Sequence, residues 1–474
     1  MYHTLAHLIM TKNIIYYISF SFLLLVALSC STDKENAKTF FGGKIINPKT
    51  KFIILYAKDK IIDTLLLDDK NKFLGTYDNL EEGLYYFEHG NENQYIYLEP
   101  KDSLMLRINT WDFDESLVFA GKGAERNNIL IDIFLEGENE RKLFYQLNGL
   151  EPIAYKTKID SILNLKLDTY TDYIETHPNE TASYFKILKI ALTFPIYSRV
   201  ERYPINHIYT TRKEGSPKMS PSFYSYRDNL DYNNNDLMYY TPYARYITNY
   251  LYNVTYALGH QLIKDEFSSD FTVDLLKTIN NKINGIDSKN AFLKRTVLDH
   301  FYRKSSCNVN KNTFDTFFTL STNEEHKDLI KKLLDDNKII KKGEKIQGFK
   351  ISDFTNYPIK IEKFAFNKNS VLLFWNKDYI SKSFISARVP LLQKKYPKLN
   401  FAIIEIDGNS NNRIKNIDIK NQYFIDSKML ENNFLKSKMN RTILVNKNGF
   451  VENGYAAISS GNIYKQLNDL SKIN

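Results

Sequence analysis

Cysteine is the scarcest informative residue in this 474-residue chain, with two copies, Cys30 and Cys307. A count of two leaves too few cysteines for a disulfide-stapled scaffold, and none stands between 343 and 474 to form a dithiol pair. The 8 histidines are scattered. His89, His177, His207, His260, His300 and His326 make no HExxH, HxH or Cys/His spacing, so neither a metal nor a cofactor is expected. Glycine (18) and proline (12) are sparse, and no glycine-rich phosphate loop or nucleophile elbow occurs. No proline follows Pro397. A net charge of +9 comes from interspersed Lys, Asp and Glu rather than an Arg-rich stripe, which argues against a nucleic-acid partner.

What is abundant is aromatic. With 34 Tyr, 31 Phe and 43% hydrophobic residues, the chain has ample material for several cores, and its length calls for two to four domains. The expected order is multidomain: a β-sandwich, then an α-helical domain, then an α/β domain.

Ile14 to Leu28 is an uncharged apolar run behind Lys12, too short for a spanning helix. It ends Val26–Ala27–Leu28–Ser29–Cys30, which resembles a bacterial lipoprotein signal. The resemblance implies a signal peptide over 1–29 and lipidation of Cys30. The acylated end then holds the chain in the cell envelope, at the outer membrane on its periplasmic or surface face. Residues 30–39 read as a polar tether.

From 40 to 123, short alternating strands are broken by turns at Asn47–Pro48, Asp68–Asn71, Glu82–Gly83 and Glu99–Asp102, which predicts an antiparallel β-sandwich. Tyr97–Leu98–Glu99–Pro100–Lys101–Asp102, Phe119–Ala–Gly121–Lys–Gly123 and Asn127–Asn128 resemble the N-terminal β-domain of Bacteroidetes lipoproteins.

Residues 124–342 carry helical periodicity, with helix ends expected at His177–Pro178 and Phe194–Pro195. Glu201 to Asn235 reads as a long ordered loop or lid. The tyrosines from Tyr224 to Tyr250 read as core rather than as a binding surface.

From 343 to 474 the pattern is α/β. A buried-strand run, Val371–Leu–Leu–Phe–Trp375, leads into a helix with Pro390 inside it. Tyr396–Pro397, Ile404–Glu–Ile–Asp407 and Leu444–Val445–Asn446–Lys–Asn–Gly449 follow. These motifs resemble the thioredoxin-like, TlpA-like disulfide reductases. The resemblance implies a thioredoxin-like fold with a redox site just after Trp375. The two positions of its Cys-x-x-Cys fall on Tyr379 and Lys382, and the place of its cis-proline falls on Asn440. A thiolate activated at a helix N-terminus cannot form here. A non-proline cis bond costs several kcal/mol, so Asn440 is expected to be trans.

The expected function is therefore a membrane-anchored envelope lipoprotein whose redox-inactive thioredoxin-like domain is a binding or scaffold module. The candidate groove is formed by Trp375, Asp378, Ser381, Arg441 and Thr442, and it faces a protein or peptide partner. Arg441 is read there as a solvated cation, with pairing to a carboxylate as the alternative. Two alternatives stand beside this reading. One is an enzyme of another class with a pocket in the helical domain, lined by tyrosines and Arg202 or Arg245. The other is a thiol–disulfide oxidoreductase, carried by resemblance alone.

Overall fold

The computed structural model describes residues 38–58, 60–304, 309–346, 348–365, 367–409, 414, 421–425 and 435–473. The signal-like segment, Cys30 and Cys307 lie outside the described residues. Two compact units are present: Met1–Phe144 with Asp160–Pro195, and Tyr145–Ile159 with Ile196–Asn474.

The first unit holds two four-stranded sheets, ordered β4-β1-β7-β8 and β3-β2-β5-β6. The strands are β1 (Lys38–Ile46), β2 (Phe52–Ala57), β3 (Lys60–Leu66), β4 (Lys72–Asp78), β5 (Gly83–His89), β6 (Glu92–Leu98), β7 (Ser103–Asn109) and β8 (Val118–Ala120). Alternation works as a sheet buried on one face requires: Phe41, Ile53, Leu55, Phe87, Ile96, Leu104 and Leu106 point into a shared core. Two features differ from expectation. β1 starts at Lys38, inside the stretch read as tether, and it pairs with β7 in parallel, so the sandwich is not purely antiparallel. The Phe40–Phe41–Gly42–Gly43 run hides β1, because paired aromatics and paired glycines erase the period of two.

The loose sequence markers of this unit turn out to be one fastening. Asp102, fully buried, accepts two short bonds from Arg126 (2.7 and 2.6 Å), on helix α1 (Ala124–Asn139). Arg126 also meets Glu99 (2.9 Å) and Glu180 (2.8 Å). Asn127 Oδ1 accepts from Tyr97 N, and its amide donates to Tyr97 O. Asn128 treats Phe119 in the same way, so two side-chain amides extend the β6 and β8 ladders into the helix. Gly123 has φ +91°, and a Cβ there would stand 2.8 Å from the Asp102 carboxylate, which is why glycine occupies the helix entry.

Next come α2 (Arg141–Leu147), α3 (Pro152–Thr176) and α4 (Ala182–Thr211). Helix α3 stops before Pro178, as expected. Helix α4 does not stop at Phe194: it runs through Pro195 and Pro204. An interior proline costs about 3 kcal/mol. The buried Phe194, Ile196, Tyr197, Val200, Tyr203 and Ile205 around the two prolines offset that penalty. Glu201 to Thr211 is therefore helix, not loop.

The second unit continues with a 3-10 segment (Pro221–Asn229) and helices α5 (Thr241–Tyr256), α6 (Ser269–Lys282), α7 (Ile286–Lys304), α8 (Lys311–Leu320) and α9 (Glu324–Ile339). The 3-10 segment is pinned, not lid-like. Arg227 donates to the buried Glu201 (2.9 Å) and lies over the Tyr224 ring at 3.9 Å, and Phe223 is buried. Tyr243, Tyr246 and Tyr250 are buried on one face of α5, so the tyrosines are core.

A seven-stranded sheet closes the chain, ordered β10-β9-β13-β12-β11-β14-β15. Its strands are β9 (Lys350–Ser352), β10 (Pro358–Lys360), β11 (Ser370–Trp375), β12 (Asn400–Ile406), β13 (Gln422–Ile425), β14 (Arg441–Val445) and β15 (Val451–Ala456). β11 pairs in parallel with β12 and antiparallel with β14, which pairs antiparallel with β15. Helices α10 (Ile361–Ala365), α11 (Lys382–Lys395) and α12 (Ile463–Ser471) join it. One core cluster contains Leu372, Phe374, Ile404 and Ile443; the other contains Val371, Leu373, Trp375, Ile385 and Leu467. A parallel strand–helix–strand followed by an antiparallel hairpin and a last helix is the thioredoxin-like order.

Candidate functional site

Strand β11 is buried along its whole length, so its C-terminal end delivers the chain to the surface at one defined point. Trp375 does not reach that surface. It is 3% exposed, belongs to the core beside α11, and donates Nε1–H to Ile380 O at 2.8 Å. Asn376 then folds the loop on itself. Its carbonyl receives Tyr379 N and Ile380 N (both 3.2 Å), and its Oδ1 receives Asp378 N (3.0 Å). Ser381 caps α11 by accepting from Phe384 N at 3.2 Å. The two positions that carry thiols in the resembling family are thus Tyr379, 45% exposed at the loop tip, and Lys382, the exposed first residue of α11. Burial of part of its ring, with Asp378 beside it, raises the Tyr379 pKa.

Across from this loop stands Asn440. No cis peptide bond occurs among the described residues, so Asn440 is trans, as its side chain leads one to expect. It is held from two directions. Its Oδ1 accepts from Asn376 N at 2.7 Å, and its carbonyl accepts from Tyr302 Oη on α7 at 2.9 Å. Asn376 Nδ2 donates to Lys438 O at 2.9 Å, completing the closure. Thr442, on β14 opposite Leu373, is buried.

Arg441 corrects the sequence reading. It is 1% exposed, not solvated. Nε donates to Gly454 O (2.6 Å), a terminal nitrogen donates to Asp336 O (2.9 Å), and the guanidinium lies 4.4 Å from the Tyr455 ring centre. Asp336, on α9, accepts from Lys436 N (2.8 Å), Ser437 N (2.9 Å) and Ser437 Oγ (2.6 Å). Burial raises the Asp336 pKa, and these hydrogen bonds and Arg441 work against that rise. The side of the sheet that carries Asn440 and Arg441 is therefore bonded to helices α7 and α9. Phe301 adds an edge-on contact to Tyr455 with ring centres 4.7 Å apart.

A cavity of about 300 Å³ lies beside Asn440. Leu373, Met439 and Ala456 make its apolar floor, and Tyr379, Asp299 and Arg303 stand among its lining residues. Sequence reading missed Tyr302, Asp336, Asp299 and Arg303. For Asp336 a signal existed: it falls with Ile330, Leu333 and Asn337 on the buried stripe of α9. Tyr302 lies 138 residues from its acceptor, a pairing no local pattern announces.

The chain resembles thioredoxin-like proteins. A thioredoxin-like protein from Bacteroides caccae is 12% identical, covering 58% of this chain and 93% of that one, with a TM-score of 0.28. A thiol:disulfide interchange protein from a Bacteroides species is 16% identical over 27% of this chain and 90% of its own, at 0.23. A protein from Bacteroides vulgatus named as a thiol-disulfide oxidoreductase is 19% identical over 27% and 96%, at 0.24. No family model and no curated protein matches the chain. The thioredoxin-like order itself rests on the strand pairing above.

Among the described residues, no group of three His, Cys, Asp or Glu is placed to hold a metal ion. No described helix is long and apolar enough to cross a membrane. Arg202 and Arg245 do not line the cavity beside Asn440. A wider hollow of about 1000 Å³ lies between the end of α4 and residues 256–264, lined in part by Tyr209, Tyr256, Arg212 and His260. His260 is already engaged with Asp274 at 3.0 Å.

Proposed function

We propose that this chain is an envelope lipoprotein, anchored in the outer membrane through acylated Cys30, whose thioredoxin-like segment recognises a protein or peptide partner and exchanges no disulfides. The observation that carries the reading is the state of the redox position. Tyr379 and Lys382 offer no sulfur, Asn440 is engaged from both sides, and a cavity with an apolar floor opens next to them. An attacking thiolate is the one group disulfide exchange requires. What remains is a surface with an exposed aromatic beside a hollow, which suits recognition.

Trp375 and Arg441 belong to the interior and are unsuitable probes, since changing either disturbs packing. Tyr379 and Arg303 are exposed and suitable. The test is a pull-down from envelope membranes with the acylated protein beside a Tyr379→Asp variant of equal thermal stability. A partner retained by the native chain and lost by the variant supports the reading. A partner held equally by both, or insulin-disulfide reduction by the purified protein, refutes it.

A further inference from the structure

The cavity beside Asn440 has a chemical asymmetry that recognition in general does not explain. Its floor is apolar, while Arg303 and Asp299, one helical turn apart on α7, both line it. Arg303 is fixed at both ends: its guanidinium lies 4.6 Å from the Phe267 ring centre, and its carbonyl receives Asn462 Nδ2 at 3.0 Å. Among the described residues Arg303 has no ion-pair partner. Asp299 has Arg295 at 3.8 Å, a loose contact. Asp299 feels the charge of Arg303 without forming an ion pair with it, so the guanidinium, held over an aromatic face, keeps its donors for an incoming anion.

Two further facts narrow the ligand. A volume of about 300 Å³ is at the small end for ligand cavities, enough for one side chain and its backbone. The carbonyl of Asn440, just before β14, already accepts from Tyr302, which leaves at most one lone pair for a ligand strand running onward. A segment that ends in the cavity meets both conditions.

Resting on the recognition reading, we infer that this cavity captures the C-terminal residue of a partner chain. The apolar side chain enters the hollow, the terminal carboxylate is bound by Arg303, and the amide N–H of the same residue is offered to Asp299. Arg295 tempers repulsion between Asp299 and the incoming carboxylate.

The probe is an N-terminally labelled peptide, Gly-Ser-Gly-Ser-Gly-Leu, followed by fluorescence anisotropy with the full chain. It is compared with its C-terminal amide and with a version ending in Gly. Charge-assisted hydrogen bonds of this kind correspond to about tenfold or more in affinity. The free acid is therefore expected to bind at least about tenfold tighter than the amide, and tighter than the Gly-ended peptide. Arg303→Gln should bring acid and amide within about twofold while leaving amide binding unchanged, a pattern that misfolding cannot produce. Equal binding of acid and amide to the native chain, absence of binding, or a preference that survives Arg303→Gln overturns the inference. If one of those results is accompanied by Tyr379-dependent capture of an envelope protein, terminal capture fails and the recognition reading stands. If partner capture is also indifferent to Tyr379, both fail.

Discussion

Replacing Arg441 with Leu tests whether the face beside Asn440 is truly an interior. The substitution keeps apolar bulk but removes the donors to Gly454 O and Asp336 O and the cation over Tyr455. Each carbonyl left buried without a donor costs about 1–3 kcal/mol. The Asp336 carboxylate, fully buried, also loses the field of its nearest cation. These effects overlap, and breaking a buried charged arrangement by removing one member costs about 3–5 kcal/mol in total. Arg441→Lys keeps the charge, but one ammonium cannot serve two carbonyls reached by different guanidinium nitrogens, so about 1–3 kcal/mol is expected. The assay is urea unfolding in a Trp111→Phe background, which leaves Trp375 as the sole tryptophan, buried in the unit that contains Arg441. A loss below about 1 kcal/mol for Arg441→Leu would show that water reaches these carbonyls and that the face is not closed.

The fastening in the β-sandwich unit gives a parallel case: Asp102→Ala leaves Arg126 buried with Glu99 and Glu180 only, and should cost about 3 kcal/mol in unfolding followed by Trp111 fluorescence. His89 supplies a pH dependence. It is buried, accepts from Lys49 N and faces Phe52 O, and burial lowers its pKa below the ordinary 6.5. The unfolded chain therefore takes the proton first, and His89 contributes stability that is present above about pH 6.5 and lost as the pH falls toward its folded value. His177, raised by its hydrogen bond to Glu125, slopes the other way, so the measurement is the difference in urea midpoint between native and His89→Gln chains at about pH 7.5 and 5.5. An identical pH slope in both would refute the assignment. Tyr302→Phe removes the hydroxyl from Asn440 O and should cost about 1–3 kcal/mol by Trp375-monitored unfolding; no loss would mean that solvent in the cavity replaces it.

What could be read in advance, and what could not, follows the range of the interactions. Strands β2, β4 and β7 are written in local alternation, and the run into Trp375 is written in uniform apolarity, so both were legible. The end expected at Phe194–Pro195 failed because a rule about one peptide unit competes with a helix whose flanks are buried on both sides of the proline. Arg441 failed for a different reason. Read beside a candidate groove, an Arg looks like a surface cation, yet one of its acceptors is the carbonyl of a residue 105 positions away. The positions of the resembling redox site have therefore separated into two kinds. Trp375, Asn440, Arg441 and Thr442 carry side chains that serve the interior, through Ile380, Asn376, Gly454 and the sheet. Tyr379 and Lys382 remain outside, together with Arg303 from a helix that no redox motif would nominate. Asn440 and Arg441 are bound to α7 and α9, so the side chains this face leaves for contact with another molecule are those that line the cavity, Arg303, Asp299 and Tyr379.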